Sequence, residues 1–390
     1  VSKALYFVIL TQPMTVITLQ NQSLYDLTQD QLINQLIAWG EKPFRAKQIW
    51  RWLYQRTVAS IDEMTDLSKD LRDRLKSAFV VGRLTVINAQ ESSDGWTRKW
   101  LFALPNGGEI ETVLMEYEGA RRTACISSQA GCAMGCSFCA TGQMGFLRNL
   151  SSSEIVEQVL WVQRYLRKNL QEHHMNEIDL KHPLTNVVLM GMGEPFANYD
   201  HVIEGLATLT KTESNGGVGF GARKITVSTV GLVNGIQKFG KDGGQVNLAV
   251  SLHAATDTLR NKLVPINARY PLQTLSQAIR QYIQQTNRRV SIEWALIEGI
   301  NDTTEQANAL VEFVRQTYDP RREQKHMLHV NMIPLNPTTG YDGKASQRER
   351  SGKFSAILTH AGIPNTIRVR RGIDISAGCG QLKANTIRKK

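Results

Sequence analysis

The chain has 390 residues, 42% hydrophobic and 21% charged, with 46 Lys and Arg against 35 Asp and Glu for a formal charge of +11. This composition excludes global disorder and supplies the apolar mass of a large core, while the positive balance permits a polyanionic partner through counterion release. No apolar run approaches the ~18–20 residues that span a bilayer, and the apolar stretch 4–10 lacks a cleavage site, so neither a membrane span nor a signal peptide is expected.

Residues 1–22 read as a poorly defined extension. From 23 to 80 the apolar residues recur at helical spacing. Leu32, Ile33, Leu36 and Ile37 form one stripe, Gly40-Glu41-Lys42-Pro43 breaks it, and Ile49, Trp50, Leu53 and Tyr54 form a second. That pattern predicts a small helical accessory domain. Over 81–118, β-rich runs at 84–87, 98–102 and 110–115 are separated by the turn signals Ser93-Asp94-Gly95 and Pro105-Asn106-Gly107-Gly108. They predict a short antiparallel β extension.

From 119 to 350 short β-rich runs alternate with amphipathic helices. The runs are 122–128, 186–190, 224–229, 246–252, 290–296 and 328–333; helices are expected at 153–170, 272–285 and 304–317, the first behind a Ser151-Ser152-Ser153-Glu154 capping signal. Six such units predict an α/β fold, a parallel sheet curled into a partial (β/α)6 barrel. Chemistry then belongs at the C-terminal strand ends. Residues 351–390 are expected to form a helix, a strand and a basic tail, with seven Lys and Arg against Asp374 from 365 onward.

Four of the five cysteines, Cys125, Cys132, Cys136 and Cys139, fall within 15 residues, and Cys379 stands apart between Gly378 and Gly380. An odd, clustered set is a poor disulfide framework and points to metal or catalytic work in a reducing compartment. Cys132, Cys136 and Cys139 have the spacing C-x3-C-x2-C directly after the first barrel strand. Zinc would need Cys125 as a fourth ligand. A [4Fe–4S] cluster instead needs only three thiolates, leaving one iron open to the amino and carboxylate groups of S-adenosylmethionine (SAM). With Phe138 placed to shield the cluster, the motif resembles that of the radical-SAM superfamily.

A SAM pocket should then line the later strand ends. Gly193 and Glu194 close the second run, with Glu194 placed to accept from the SAM ammonium. Ser228 ends the third, Ser251, Leu252 and His253 end the fourth, and Asn336 follows the sixth. Each alone is an ordinary turn or cap; their recurrence at one edge predicts a pocket. Cys125 and Cys379 are either two buried thiols or a pair in which one carries a group and the other resolves a covalent intermediate.

Segments 40–45, 111–113, 125–142, 191–195, 251–254 and 377–382 together resemble the RlmN family, over about 24–383. The resemblance implies methylation of C2 of adenosine 2503 in 23S rRNA and of adenosine 37 in tRNA, with two SAM consumed per methyl group. It implies that Cys379 takes the first methyl group and that a radical from the second SAM activates it. Cys125 would then remove the C2 proton and release product through a transient disulfide with Cys379, and Glu111 would be the proton-accepting carboxylate. One extra residue separates Glu111 from Cys125 relative to the commonest family spacing. The partners implied are 23S rRNA, tRNA and an electron donor such as flavodoxin, for a cytoplasmic monomer with no membrane contact. The N-terminal module would dock RNA, and the basic tail would grip phosphates beside the splayed base. Two competing readings are a Cfr-type enzyme acting at C8 of the same rRNA adenosine and a non-catalytic zinc-bearing RNA-binding protein.

Overall fold

The computed structural model describes residues 22–172, 182–318 and 326–383. The apolar stretch 4–10, most of the 1–22 extension and the last part of the basic tail lie outside the described residues. The first described strand, β1 (Gln22–Ser23), pairs in parallel with β2 (Phe79–Val80) and closes a helical module between them. Helix α1 (Gln29–Ala38) starts at a reciprocal capping box, in which Thr28 and Gln31 each accept the other's backbone N–H. Helix α2 (Phe44–Arg51) runs on into a π-helical turn, and α3 (Lys69–Ala78) packs beneath. Leu32, Leu36, Ile49, Trp50, Leu53 and Tyr54 are buried as the stripes require, whereas Ile37 is 52% exposed. The module is fastened to the rest of the chain: the Trp50 indole donates to Gly216 O, and Ser153 Oγ donates to Asp26 at 2.5 Å.

One ten-stranded sheet carries the remainder. Strands β3 (Thr85–Glu91), β4 (Thr97–Ala103) and β5 (Glu109–Tyr117) are antiparallel, and β5 pairs antiparallel with β6 (Arg121–Cys125). From β6 onward the pairing is parallel. A small hairpin of β7 (Gln129–Gly131) and β8 (Phe146–Asn149) brackets the cysteine loop and the short helix α4 (Ala140–Met144). Then follow α5 (Ser152–Glu172), β9 (Asn186–Leu189), α6 (Tyr199–Thr210), β10 (Ile225–Thr229), α7 (Val233–Asp242) and β11 (Asn247–Ser251). Helices α8 (Asp257–Leu263) and α9 (Leu272–Thr286) lead to β12 (Val290–Leu296), α10 (Thr304–Thr317), β13 (Leu328–Pro334), α11 (Arg348–His360) and β14 (Asn365–Ile367). The order β14-β13-β12-β11-β10-β9-β6-β5-β4-β3 is that of a partial α/β barrel with an antiparallel flank. The 81–118 segment thus continues the barrel sheet, and a seventh parallel strand, β14, follows the six expected. Trp294, Phe239 and Phe354 are fully buried between sheet and helices. Among the described residues no helix is long and apolar enough to cross a membrane.

An open barrel leaves a seam, and residues 368–383 cross it. Arg371 lies over the rings of Trp96 and Tyr117 at 5.8 and 4.8 Å. Asp374 accepts from Ser93 N at 2.7 Å, and Lys99 Nζ donates to Ser376 O at 3.2 Å. Higher up, Ala140 N and Thr141 Oγ1 donate to Gly380 O and Leu382 O, each at 2.7 Å, and Lys383 N donates to Glu111 Oε2 at 2.8 Å. This strap joins the β14 end of the sheet to the β3–β5 end, and it carries Cys379.

Candidate active site

The cysteine loop is held by its flanks. Gly131 has φ +73°, and its backbone lies so close to Gly145 that a Cβ there would sit 2.0 Å from Gly145 O. The next residue donates back across the same gap, Cys132 N to Gly145 O at 2.8 Å. At the loop's far side Ser137 N donates to Leu263 O, and Phe138 packs edge-on against His253 at 4.8 Å. Gly131→Ala is therefore expected to destabilise the protein by about 1–3 kcal/mol and to lower the iron taken up on reconstitution. Thermal unfolding and iron per chain check this; wild-type values for both would contradict it.

Burial pushes the Cys132 thiol up to about 12, with the Glu194 and Cys139 charges adding to the effect. Burial likewise raises Cys136, and Cys139 and Cys132 raise it further. Three thiols that oppose one another's ionisation are a donor set for a cation, whose binding releases their protons. Cys125 is not part of the trio. Its charged neighbours are Cys379 and Arg368, so zinc's expected fourth ligand faces elsewhere. Among the described residues no three Cys, His, Asp or Glu converge on a single ion. Ligands of a cubane each take a different iron and do not need to.

A cleft of about 860 Å³ opens beside the trio. Cys136 and Cys139 line it, as do Gly193, Glu194, Ser228, Ser251, His253 and Asn336 from the ends of β9, β10, β11 and β13, and Cys379 from the strap. Six of the seven residues expected to bind SAM therefore share one cavity. Leu252 does not. Leu252 follows the last residue of β11 and packs into the core, where it is fully buried.

The wall is largely apolar, and a few polar groups are held ready on it. Glu194 accepts from Phe196 N at 3.0 Å and from Val230 N at 2.9 Å, and burial raises its pKa to about 7, a position that an incoming ammonium would relieve. The Ser228 and Ser251 hydroxyls lie 3.4 Å apart. Asn336 donates to Cys379 O at 3.0 Å, while its Oδ1 is buried and has no hydrogen-bond partner among the described residues. His253 stands at φ +60° and accepts from Ala295 N through Nδ1 at 2.9 Å. Burial, helped by Arg260, drops its pKa to about 3, so it is neutral and carries its proton on Nε2.

Cys379 reaches solvent through the mouth of the cleft, yet protein crowds its other sides. That crowding raises its pKa, with Arg368 opposing and Glu293 and Cys139 reinforcing. Cys125 is buried behind it, and its pKa is raised by burial and by the Cys379 charge. All five cysteines are free thiols.

Residues 22–81 match the ribosomal RNA large subunit methyltransferase N-terminal domain, and residues 126–311 match the radical SAM superfamily. The chain is 46% identical over 364 residues to the "Probable dual-specificity RNA methyltransferase RlmN" of Chloroflexus aurantiacus, covering 93% of each chain. It is 45% identical to the dual-specificity RNA methyltransferase RlmN 1 of Myxococcus xanthus, covering 94% of this chain and 96% of that one. The chain belongs to the RlmN family. A crystal structure of a radical SAM methyltransferase from Sphaerobacter thermophilus superposes with a TM-score of 0.83 at 44% identity, covering 93% of this chain and 99% of that one.

RlmN-family membership implies a [4Fe–4S] cluster and SAM. The thiol trio, the orphan Asn336 Oδ1 and the raised Glu194 carboxyl are what those groups require of a site. Glu111 lies elsewhere. It lines a neighbouring cavity, 2.8 Å from Lys99 Nζ through Oε1, while Oε2 accepts from Lys383 N. Burial raises its pKa and Lys99 opposes the rise. Lys99 itself was not singled out in the sequence, nor were Arg260 and Glu293, because a lone charge in a strand or helix reads as solvated. All three are buried.

Proposed function

We propose that this chain methylates C2 of an adenosine in RNA, adenosine 2503 of 23S rRNA and adenosine 37 of tRNA, with the methyl group carried on Cys379. The observation that supports this reading is that Cys379 lines one cleft with Cys136, Cys139 and the polar strand ends, while its charge acts on the buried Cys125. Adenine C2–H is neither acidic nor nucleophilic enough to take a methyl cation from SAM directly. A carbon centre held on a protein sulfur avoids that limit.

Cys132, Cys136 and Cys139 hold the cluster, and Glu194, Ser228, Ser251, His253 and Asn336 orient SAM. The Cys379 sulfur attacks the methyl carbon of a first SAM, losing its proton as the sulfonium becomes S-adenosylhomocysteine. Held by the trio, a [4Fe–4S] cluster would supply one electron to a second SAM, the source of a hydrogen-abstracting radical. The activated S-methylene on Cys379 bonds to adenine C2. The adduct gives its odd electron back to the redox centre, and Cys125 removes the C2 proton. The Cys125 thiolate then attacks the Cys379 sulfur, the bond from that sulfur to the methylene carbon breaks, and the carbon takes up a proton to become the methyl group; an external reductant returns the resulting disulfide to two thiols. Two SAM are consumed per methyl group. Glu111 enters as an anchor of the strap; a proton-accepting role requires its oxygens to leave Lys99 and Lys383. The partners in this reading are 23S rRNA, tRNA and an electron donor such as flavodoxin. The 23–80 module docks RNA, and a cytoplasmic monomer completes the reading.

Anaerobic reconstitution should give about four irons and four sulfides per chain; one tight zinc and no visible absorbance would defeat the proposal. Digested RNA should contain 2-methyladenosine, and 8-methyladenosine alone would reverse the regiochemistry. Cys125→Ala is expected to trap a covalent protein–RNA adduct, visible as a shifted band that survives denaturation. Normal turnover by that variant would remove Cys125 from the scheme.

A further inference from the structure

Glu293 is the residue in the cleft whose chemistry remains unused. It sits in β12, in register between Ser251 of β11 and Asn331 of β13, and is 4% exposed. Its Oε1 accepts from Asn331 Nδ2 at 2.9 Å. Oε2 is buried, has no hydrogen-bond partner among the described residues, and belongs to a side chain lining the cleft. Leaving such an oxygen dry and unpaired costs on the order of 1–3 kcal/mol, so its presence calls for a donor that arrives with a ligand.

The cleft has two sides. Glu194 serves the trio side, and its charge acts on Cys132 and Cys136. Glu293 stands toward Cys379, on which its charge acts together with that of Cys139, and its other charged neighbour is Arg368. Under the reading above, the side beside Cys379 receives the target base. A carboxyl oxygen there accepts and does not repel only if the base offers N–H. Adenine offers its exocyclic amine, whereas guanine offers a carbonyl oxygen at the same position.

We propose that Glu293 Oε2 receives the exocyclic amine of the target adenine and so selects a 6-aminopurine for methylation. The assignment rests on the proposed function. SAM carries a 6-aminopurine too, and the experiment separates the two sources.

Reconstituted holoenzyme is assayed on an RNA fragment whose target is adenosine or purine riboside, which lacks the amine. The wild type is expected to lose about 10²–10⁴-fold in kcat/KM on purine riboside. Glu293→Ala is expected to be slow on both, with the preference reduced to within about threefold, and isosteric Glu293→Gln should recover part of it. Methyl loading of Cys379, read as protein mass, should persist in both variants. Equal use of both substrates by the wild type would overturn the assignment without recourse to a variant, as would an undiminished preference in Glu293→Ala. Loss of SAM binding or of Cys379 loading in Glu293→Gln would overturn it in favour of the SAM adenine. Failure of the wild type to methylate adenosine at all would instead strike the proposed function itself.

Discussion

Cys379→Ala is expected to leave no methylated RNA and no methylated protein, a loss of about 10⁴-fold or more, the scale seen when a covalent nucleophile is removed. The change should be invisible to the fold. The strap is held at this point through the main chain, by Asn336 donating to Cys379 O and Ala140 N donating to Gly380 O. Both bonds survive the loss of a sulfur that faces the mouth of the cleft, so stability should stay within about 0.5 kcal/mol. Iron content should also be unchanged, because the trio is untouched. Cys379→Ser should be as inactive, a hydroxyl being a far weaker nucleophile toward a sulfonium methyl. The measurement is intact protein mass after incubation with SAM, followed by nucleoside analysis of the RNA. Product from Cys379→Ala would sink the carrier role. The contrast with Cys125→Ala is diagnostic, since one variant never starts and the other cannot finish.

The largest effect on stability is expected from Arg260→Met, about 3–5 kcal/mol. Arg260 is 0% exposed on α8. Its Nε donates to Leu252 O at 3.1 Å, one terminal nitrogen to Asn267 Oδ1 at 2.9 Å, and the other to Val230 O at 2.6 Å and Ser251 O at 3.3 Å. Burial lowers its pKa to about 10, which still leaves it cationic at neutral pH. Methionine matches the length of the stem and provides no donor. Three carbonyls and an amide oxygen would remain buried and unserved, at about 1–3 kcal/mol each before relaxation. Those carbonyls cap the ends of β10 and β11, so SAM affinity should fall as well. Urea denaturation should show a lower midpoint at unchanged slope. A shift below about 1 kcal/mol would mean the carbonyls find other donors.

Periodicity and spacing made much of the molecule legible. The run expected at 290–296 is β12, a short apolar stretch buried almost throughout, and the helix expected at 304–317 is α10, which buries Ala307, Leu310, Val311 and Val314 at helical spacing. The C-x3-C-x2-C loop follows β6, and the strand-end residues do converge, since a parallel sheet forces its C-terminal ends to one edge. Features that depend on partners were not legible. Nothing local in 85–117 tells whether those strands stand alone or extend the barrel sheet. A strand is expected in 351–390, but β14 has three residues, two of them exposed, too few to show that it pairs with the barrel sheet. Adjacency to Ser251 and His253 suggests a place in the pocket for Leu252, and only the fold shows it buried in the core. Lys99, Arg260 and Glu293 reveal themselves only through what surrounds them.

The strap has a further consequence for the order of assembly. Every strand from β3 to β14 precedes it in the chain, so during synthesis the sheet is finished before its two ends are joined. Until then the helix behind the thiol trio lacks the cover that Gly380 and Leu382 give Ala140 and Thr141. Once Gly380 docks on Ala140 that side is shut, and whatever reaches the interior, a splayed nucleotide included, enters by the mouth.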